Sequence, residues 1–340
     1  MTKQRFLRLV LACAIGLLAF AISAMERIRT GAGGDFGVEV RAAQLLLAGQ
    51  NPYFDPELPP QDPSSTLYPL FYPLPAVLLA IPFVGLQPEF AGALFSALST
   101  GLLVFVISGT RPYLLPMIAS APLFWAVVAA QWSVLVTAAA LSTWLLPLAI
   151  LKPSLGLPIA AGFPRKWGLV VAALVLAASL LILPTWPLDM LRNAEYMRAV
   201  MGRPGVPPLL ITPGVFTLLA LLRWRDPMAR FLVLFAAMPQ SLEIYDGVPA
   251  WLVARSWRQS AFMAACSWAG WLLMKWLFPP EMNAMLDATA PWMVGSIFLP
   301  ALAVVLVRDD RNVAAAGAWA RSALASVAQA TSARLADRQE

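Results

Sequence analysis

The sequence predicts an all-α, polytopic membrane protein with about 10–12 transmembrane helices. Hydrophobic residues make up 60% of the 340 positions and charged residues only 12%, which is about half the charged share of an ordinary soluble domain. The mean hydropathy is +0.71. Apolar runs of roughly 17–20 residues recur along the chain, and each is long enough as a helix to cross about 30 Å of hydrocarbon.

Charge and composition exclude several classes of protein. The net charge is +6, but the basic residues are scattered between apolar runs, where they set membrane topology, so nucleic-acid binding is not expected. Cys13 and Cys266 both lie in apolar runs, which argues against a structural disulfide. Histidine is absent and no carboxylate cluster is present, so we expect neither a bound metal nor another cofactor.

The apolar runs and the polar stretches between them define the organisation. We expect one transmembrane domain over residues 1–307, with outer loops at 26–68 and 184–208, and a cytoplasmic tail at 308–340. A shorter run at 151–164 is expected to be a short span or a re-entrant segment. The remaining apolar runs are residues 6–24, 69–86, 90–108, 113–130, 132–150, 167–183, 209–222, 228–242, 248–254, 261–278 and 288–307.

The amino terminus is predicted to be cytoplasmic. Lys3, Arg5 and Arg8 accompany the beginning of the first apolar run, and basic residues favour the cytoplasmic side of a span. A cleaved signal peptide is the alternative interpretation of this run, because it ends in small residues. An uncleaved first span agrees better with its full length, and it places residues 26–68 on the outer face of the cell membrane.

The first outer loop contains a predicted helix over residues 35–49. Val38, Ala42, Leu45 and Leu46 recur at helical spacing, and Gly49 stands where a helix stop is expected. The pattern predicts a short amphipathic helix that lies flat on the outer membrane surface.

Two acidic residues of this predicted helix are candidate functional residues. Asp35 stands at its beginning, where aspartate is also a favoured helix cap. Glu39 lies one turn later on the same face, and a solvated surface charge is its ordinary interpretation. The sequence leaves both the functional and the ordinary interpretation of each residue open.

Basic residues provide candidate anion ligands. Lys152 stands at the edge of an apolar stretch, where a charge is costly and usually functional, although the side chain can also snorkel to the membrane interface. In the second outer loop, residues 189–198 read as another surface helix that carries Arg192 and Arg198. Glu195 and Arg198 are spaced as an ordinary exposed ion pair.

Several short segments carry motifs of a known kind, namely Asp35-Phe36, residues 42–43, 46–53 and 71–74, Ala130-Gln131, and residues 150–157 around Lys152-Pro153. Together these motifs resemble those of the polyprenyl-phosphate-sugar-dependent glycosyltransferases of family 87, which are mostly described as mannosyltransferases of the C-type glycosyltransferase fold. The resemblance covers roughly residues 6–210. This chain is short for the family, has no histidine in the second outer loop, and has Ala130 where the family usually has glycine.

The resemblance implies an inverting transfer of a sugar, mannose first, from a polyprenyl-phosphate carrier in the membrane to a glycolipid or cell-envelope glycan on the extracytoplasmic face. It implies Asp35 as the general base. No metal is required if cations hold the leaving phosphate. The other expected site residues are Lys152, Arg192 and Arg198 for the donor phosphate, with Tyr53, Tyr72 and Glu39 along the substrate cleft. A degenerate, non-catalytic homologue and a transporter or flippase of lipid-linked substrates are the alternatives.

Overall fold

The described part of the chain is all-α. The computed structural model describes residues 2–30, 34–54, 69–201, 205–241, 243–278 and 282–307, with side chains described outside 197–201 and 282–288. Within these ranges no β-strand occurs. Much of the predicted first outer loop (residues 55–68), the predicted tail (308–340) and the side chain of Arg198 lie outside the described residues.

Helices account for most of the described backbone. The α-helices of the described residues are α1 (Lys3–Thr30), α2 (Phe36–Leu47), α3 (Leu74–Ala80), α4 (Pro88–Thr110), α5 (Ala121–Val128), α6 (Ser133–Ala139), α7 (Pro153–Gly162), α8 (Lys166–Ile182), α9 (Trp186–Met201), α10 (Pro227–Ala237), α11 (Trp257–Leu277) and α12 (Met282–Leu306).

Short 3₁₀ helices join many of these elements. Such segments are tighter than α-helices and usually short, but here they reach ten residues, and several begin at or contain proline, which cannot continue an α-helix. They are Ile81–Phe83, Pro112–Ala119, Leu146–Leu151, Pro208–Leu210, Gly214–Arg223 and Ile244–Val253.

The apolar helices confirm the prediction of an all-α membrane protein at the level of its class. Three are long and apolar enough to cross a membrane, namely Lys3–Thr30, Pro88–Thr110 and Thr289–Leu306. A fourth candidate is the bent pair Lys166–Ile182 and Trp186–Tyr196, whose axes differ by 89°.

The number of full-length spans in the described residues is below the predicted 10–12. The difference arises because several apolar runs are broken. The run at 113–130 forms a 3₁₀ segment followed by α5, and the run at 132–150 forms α6 and a second 3₁₀ segment. The segment predicted as a short span or a re-entrant segment forms α7, which has ten residues and is too short to cross a bilayer alone.

Helices α1 and α4 pack closely through small residues. A Cβ atom on Gly16 would lie 3.0 Å from the Ala97 carbonyl oxygen, and one on Gly101 would lie 3.3 Å from the Ala12 carbonyl oxygen. About two turns further along α1, the Ser23 and Ser96 hydroxyls lie 3.3 Å apart. Small residues allow helix backbones to approach in a membrane, so this pair forms a rigid support for the segment that follows α1.

Helix α2 has the predicted position in the sequence but a different environment. Its bounds agree with the prediction, and Gly49 adopts a φ of 74° just after it, as a helix stop requires. The helix is packed into the protein instead of lying flat on a surface: Phe36 is fully buried and stacks on Phe95 at 4.0 Å between ring centroids. Glu39 is also fully buried, so the interpretation as a solvated charge is wrong.

Candidate functional site

Asp35 immediately precedes α2 but does not cap it. Its side chain makes no capping hydrogen bond, and its backbone N–H donates to the Ala129 carbonyl at 3.0 Å. The carboxylate instead accepts a short hydrogen bond from the Gln131 side-chain amide and a longer one, 3.4 Å, from the Tyr245 hydroxyl. The helix-cap interpretation is therefore wrong for this side chain, which is half-buried.

The turn before α6 positions Gln131. Ala130 is fully buried and has a φ of 54°, the left-handed region that residues other than glycine seldom occupy. Such a conformation costs about 1–3 kcal/mol and persists only where the surroundings enforce it. It lies at the position where the resembled family usually has glycine, and it directs the chain so that Gln131 reaches Asp35.

Gln131 links Asp35 to a buried lysine. While its amide nitrogen donates to Asp35, its amide oxygen accepts a hydrogen bond from Lys152 Nζ at 3.1 Å. The Lys152 ammonium also forms an ion pair with Asp246 at 2.6 Å and lies 5.5 Å from the centre of the Tyr245 ring. Since Lys152 is only 9% exposed and its ammonium is held by protein acceptors, the snorkelling interpretation is wrong.

Asp246 completes this chain of contacts. It is 1% exposed, and its second carboxylate oxygen accepts a hydrogen bond from the Ser241 hydroxyl at 2.6 Å. It belongs to the 3₁₀ helix Ile244–Val253, far from the motifs of the first half. Sequence reasoning missed Ser241, Tyr245 and Asp246 as site residues. Ser241 lies within the predicted apolar run 228–242, and Tyr245 and Asp246 stand in the short polar gap before the run at 248–254.

The Glu39 carboxyl is buried near that of Asp35. Its Oε1 accepts a hydrogen bond from the Trp132 indole N–H at 2.6 Å, whereas Oε2 is buried with no hydrogen-bond partner among the described residues. Burial raises the pKa of Glu39 to about 8, although the Trp132 hydrogen bond acts in the opposite direction. Glu39 is therefore mostly protonated at neutral pH.

Asp35 experiences opposing electrostatic effects. Burial raises its pKa above the ordinary aspartate range, while the positive charges of Lys152 and Arg27 and the Tyr245 hydrogen bond counteract the rise. A carboxylate with a raised pKa is a stronger base. The arrangement supplies a half-buried base with cations nearby.

The two tyrosines expected along the cleft have different environments. Tyr72 is buried, and its hydroxyl is hydrogen-bonded to the Gln131 side chain, which places it in the Asp35 network. Tyr53 is 2% exposed, and its hydroxyl donates to the Tyr72 backbone carbonyl at 2.8 Å. Tyr53 therefore supports the backbone under Tyr72, and the expectation that its side chain lines an open cleft is wrong.

Helix α9 connects the two predicted outer loops. Asp189 is buried and accepts hydrogen bonds from Asn51 at 3.1 Å and Thr185 at 2.8 Å. Asn193 donates to the backbone carbonyls of Tyr53 and Leu70, both at 2.9 Å. These contacts place the predicted second-loop helix against the first loop.

Arg192, the second-loop arginine whose side chain is described, makes no contact with the Asp35 network among the described residues. Arg192 has a side chain that is 70% exposed, and it pairs with Asp189 at 3.5 Å. The helix predicted at 189–198 is present within α9, but the Arg198 side chain lies outside the described residues. Among the residues that the structure describes, no group of three or more Cys, Asp or Glu side chains is arranged to hold a metal ion.

Together, the fold and the site define an all-α membrane protein in which Asp35, just before α2, is linked through Gln131 to the buried ion pair Lys152–Asp246. No family model, curated protein or solved structure matches the chain. The resemblance to a glycosyltransferase family therefore rests on the motifs of the sequence alone.

Proposed function

We propose that the protein is a membrane glycosyltransferase with a C-type glycosyltransferase fold. Its donor is a sugar linked to polyprenyl phosphate, with mannose as the first candidate, and its acceptor is a glycolipid or cell-envelope glycan. The observation that carries the proposal is that Asp35 is the half-buried carboxylate expected of the base. It is held by Gln131 and Tyr245 and does not cap its helix.

The reaction uses Asp35 as the general base. An acceptor hydroxyl attacks the anomeric carbon from the face opposite the phosphate, and its proton passes to the Asp35 carboxylate. The new bond joins the acceptor oxygen to the anomeric carbon. The bond from that carbon to the phosphate oxygen breaks, and its electron pair leaves with the lipid phosphate. No protonation of the phosphate is needed when positive charge faces it.

Gln131 and Lys152 act on the base in this scheme. Lys152 was a sequence candidate for binding the phosphate, with Arg192 and Arg198. Its hydrogen bonds to Asp246 and Gln131 favour a different role, since they hold the ammonium where its charge stabilises ionised Asp35. Glu39, protonated at neutral pH, lies beside the base without competing for the same proton.

We place the site on the extracytoplasmic face of the cell membrane. The basic residues at the start of α1 favour a cytoplasmic amino terminus, and α1 ends at Thr30, just before Asp35. The contacts of α9 with Asn51 and Tyr53 agree with two outer loops on one side. We propose that the broken apolar segments supply the further spans, for a total of about 10–12.

In vitro transfer is the direct test. Purified protein in proteoliposomes is supplied with synthetic polyprenyl-phosphate sugars and glycolipid acceptors, with and without EDTA, and Asp35→Asn serves as the control variant. Product that requires Asp35 and forms in EDTA supports the proposal. Protein that transfers no sugar but moves lipid-linked sugar between the two leaflets would establish the flippase alternative. A buried ion pair such as Lys152–Asp246 also suits a flippase.

A further inference from the structure

Arg27 is a buried cation that neither the motifs nor the scheme above uses. It belongs to the last turn of α1 and is 6% exposed. Arg27 follows Ala12, Gly16 and Ser23 at helical spacing, so it lies on the face of α1 that packs towards α4. A guanidinium remains charged in proteins, and burying it is costly unless partners compensate.

Gly34 keeps the guanidinium close to Asp35. A Cβ atom on Gly34 would overlap the Arg27 guanidinium, and it would also lie 2.9 Å from the Ala129 carbonyl oxygen. The φ of Gly34 is 70°, in the left-handed region. Glycine is therefore required here twice, for its backbone and for the space that Arg27 occupies.

The hydrogen bonding of Arg27 is incomplete. Its Nε is buried and has no hydrogen-bond partner among the described residues. Buried donors are nearly always paired, by protein, water or ligand. An arginine presents donors in a planar fork that fits two oxygens of a phosphate.

Two of the three sequence candidates for a phosphate ligand are engaged elsewhere, and the side chain of the third, Arg198, lies outside the described residues. Lys152 donates to Asp246 and Gln131. Arg192 is exposed and pairs with Asp189. Of Lys152, Arg192 and Arg27, Arg27 alone combines burial, an unpaired donor and a position whose charge acts on Asp35.

The geometry points to Arg27, seated against Gly34, as the residue that binds the phosphate of a polyprenyl-phosphate carrier. This inference rests on the proposed function, because it names the group that holds the donor in the same site. Arg27 then places the leaving phosphate next to the base, on the outer end of α1. A phosphomonoester on a long isoprenoid is the expected ligand, and an ordinary phospholipid headgroup is the rival source of the same chemistry.

Equilibrium binding tests the inference directly. The full chain is reconstituted in phosphatidylcholine nanodiscs and titrated with polyprenyl phosphate and with polyprenol, which lacks the phosphate. We expect the wild type to prefer polyprenyl phosphate, and Arg27→Gln to weaken its binding by about tenfold or more, with partial retention in Arg27→Lys. Arg29→Gln is the matched control, since Arg29 lies on the same turn with a side chain that is 72% exposed, and it should bind as wild type.

Arg27→Lys guards against failure to fold, because it keeps the buried positive charge, and a further variant alters the contact between Arg27 and Gly34. Gly34→Ala displaces the guanidinium without removing its charge, and it should also weaken polyprenyl phosphate binding. Wild-type affinity in Arg27→Gln, equal binding of polyprenol, or equal competition by phosphatidylglycerol would each overturn the inference.

Transfer kinetics separate this inference from the proposed function. If the wild type transfers no sugar but Arg27→Gln still loses polyprenyl phosphate binding, the phosphate site stands and the glycosyltransferase proposal is rejected. If Arg27 only supported Asp35, Arg27→Gln would move the acidic limb of the pH–rate profile upwards and leave the KM for the donor unchanged. That result would reject the phosphate role and keep the proposed function.

Discussion

Lys152 and Asp246 form an ion pair at 2.6 Å although 94 residues separate them in the chain. Both are buried. Lys152 also donates a hydrogen bond to the Gln131 side-chain oxygen, and the Ser241 hydroxyl donates one to Asp246. A pair of this kind fixes the 3₁₀ helix Ile244–Val253 against the start of α7, and so positions Tyr245 over Asp35.

Breaking this ion pair should destabilise the protein strongly. Lys152→Met or Asp246→Leu leaves a buried charge without its partner, and we expect each to lower the free energy of unfolding by about 3–5 kcal/mol. The double variant should cost clearly less than the sum of the two. Unfolding of the purified variants in mild detergent measures these differences.

The exposed pair Arg29–Glu26 provides the control for that experiment. Its side chains are 72% and 28% exposed, so its removal should change stability by less than about 1 kcal/mol. Additive effects of Lys152→Met and Asp246→Leu would show that the two charges do not act as a pair.

Local sequence signals predicted some of this structure well. The helix over Phe36–Leu47 followed from side chains at helical spacing and from Gly49, because both are properties of neighbouring residues. The apolar character of α1 and α4 likewise predicted membrane spans. Asp35, Tyr72 and Lys152 were selected from motifs and do meet around Gln131.

Long-range packing accounts for what the sequence did not predict. Glu39 is buried, and the indole N–H that binds it belongs to Trp132, 93 residues away in the chain. Asp246 becomes a site residue only through Lys152. The breaks in the apolar runs depend on how each proline segment packs against its neighbours, which hydropathy does not describe.

Glu39 should make stability depend on pH. Its pKa rises from 4.5 to about 8 on folding, so the folded state binds more protons than the unfolded state between these values. Stability from this group is fully present below about pH 4.5 and is lost as the pH rises towards 8, with a limiting slope of about 1.4 kcal/mol per pH unit.

Glu39→Gln tests that dependence, because glutamine resembles the protonated carboxyl and does not titrate. Thermal unfolding of wild type and variant is compared at pH 5, 6.5 and 8. We expect the wild type to lose stability relative to the variant across this range. Parallel curves would show that Glu39 ionises in the folded protein as easily as in the unfolded chain.

Ala130 should tolerate glycine but not valine. Glycine adopts a φ of 54° without penalty, and the lost methyl contacts partly offset that relief, so Ala130→Gly should change stability by less than about 1 kcal/mol. A β-branched residue is a true outlier in this region, so Ala130→Val should be destabilising by about 2 kcal/mol or more and should disturb Gln131. Equal stability of the two variants would show that the left-handed turn does not persist.

Membrane topology can be measured on residues outside the described ranges. We expect a cysteine at Ser64 to react with a membrane-impermeant thiol reagent in intact cells, because it lies in the predicted outer loop. A cysteine at Ser332 in the predicted cytoplasmic tail should react only after the cells are opened. Cys13 and Cys266 are first replaced by alanine. Reaction of Ser332→Cys in intact cells would reverse the proposed orientation.

Asp35→Asn is the most decisive variant for the proposed chemistry. Asparagine has the shape of aspartate, and its amide oxygen still accepts a hydrogen bond from Gln131 or Tyr245. Because the wild-type side chain makes no cap, neither Asp35→Asn nor Asp35→Ala should lose the roughly 1 kcal/mol that removal of a helix cap costs. The amide cannot take a proton at neutral pH, so transfer should fall by about 10²–10⁴-fold.

Two comparisons decide what the Asp35 result means. Unfolding curves of Asp35→Asn that match the wild type, together with lost transfer and retained polyprenyl phosphate binding, identify a chemical role instead of a structural one. Glu39→Gln should keep transfer, because Glu39 is already protonated at neutral pH and the neutral amide replaces it. An active Asp35→Asn beside an inactive Glu39→Gln would move the base one turn along α2, to the carboxyl whose Oε2 has no partner in the described residues.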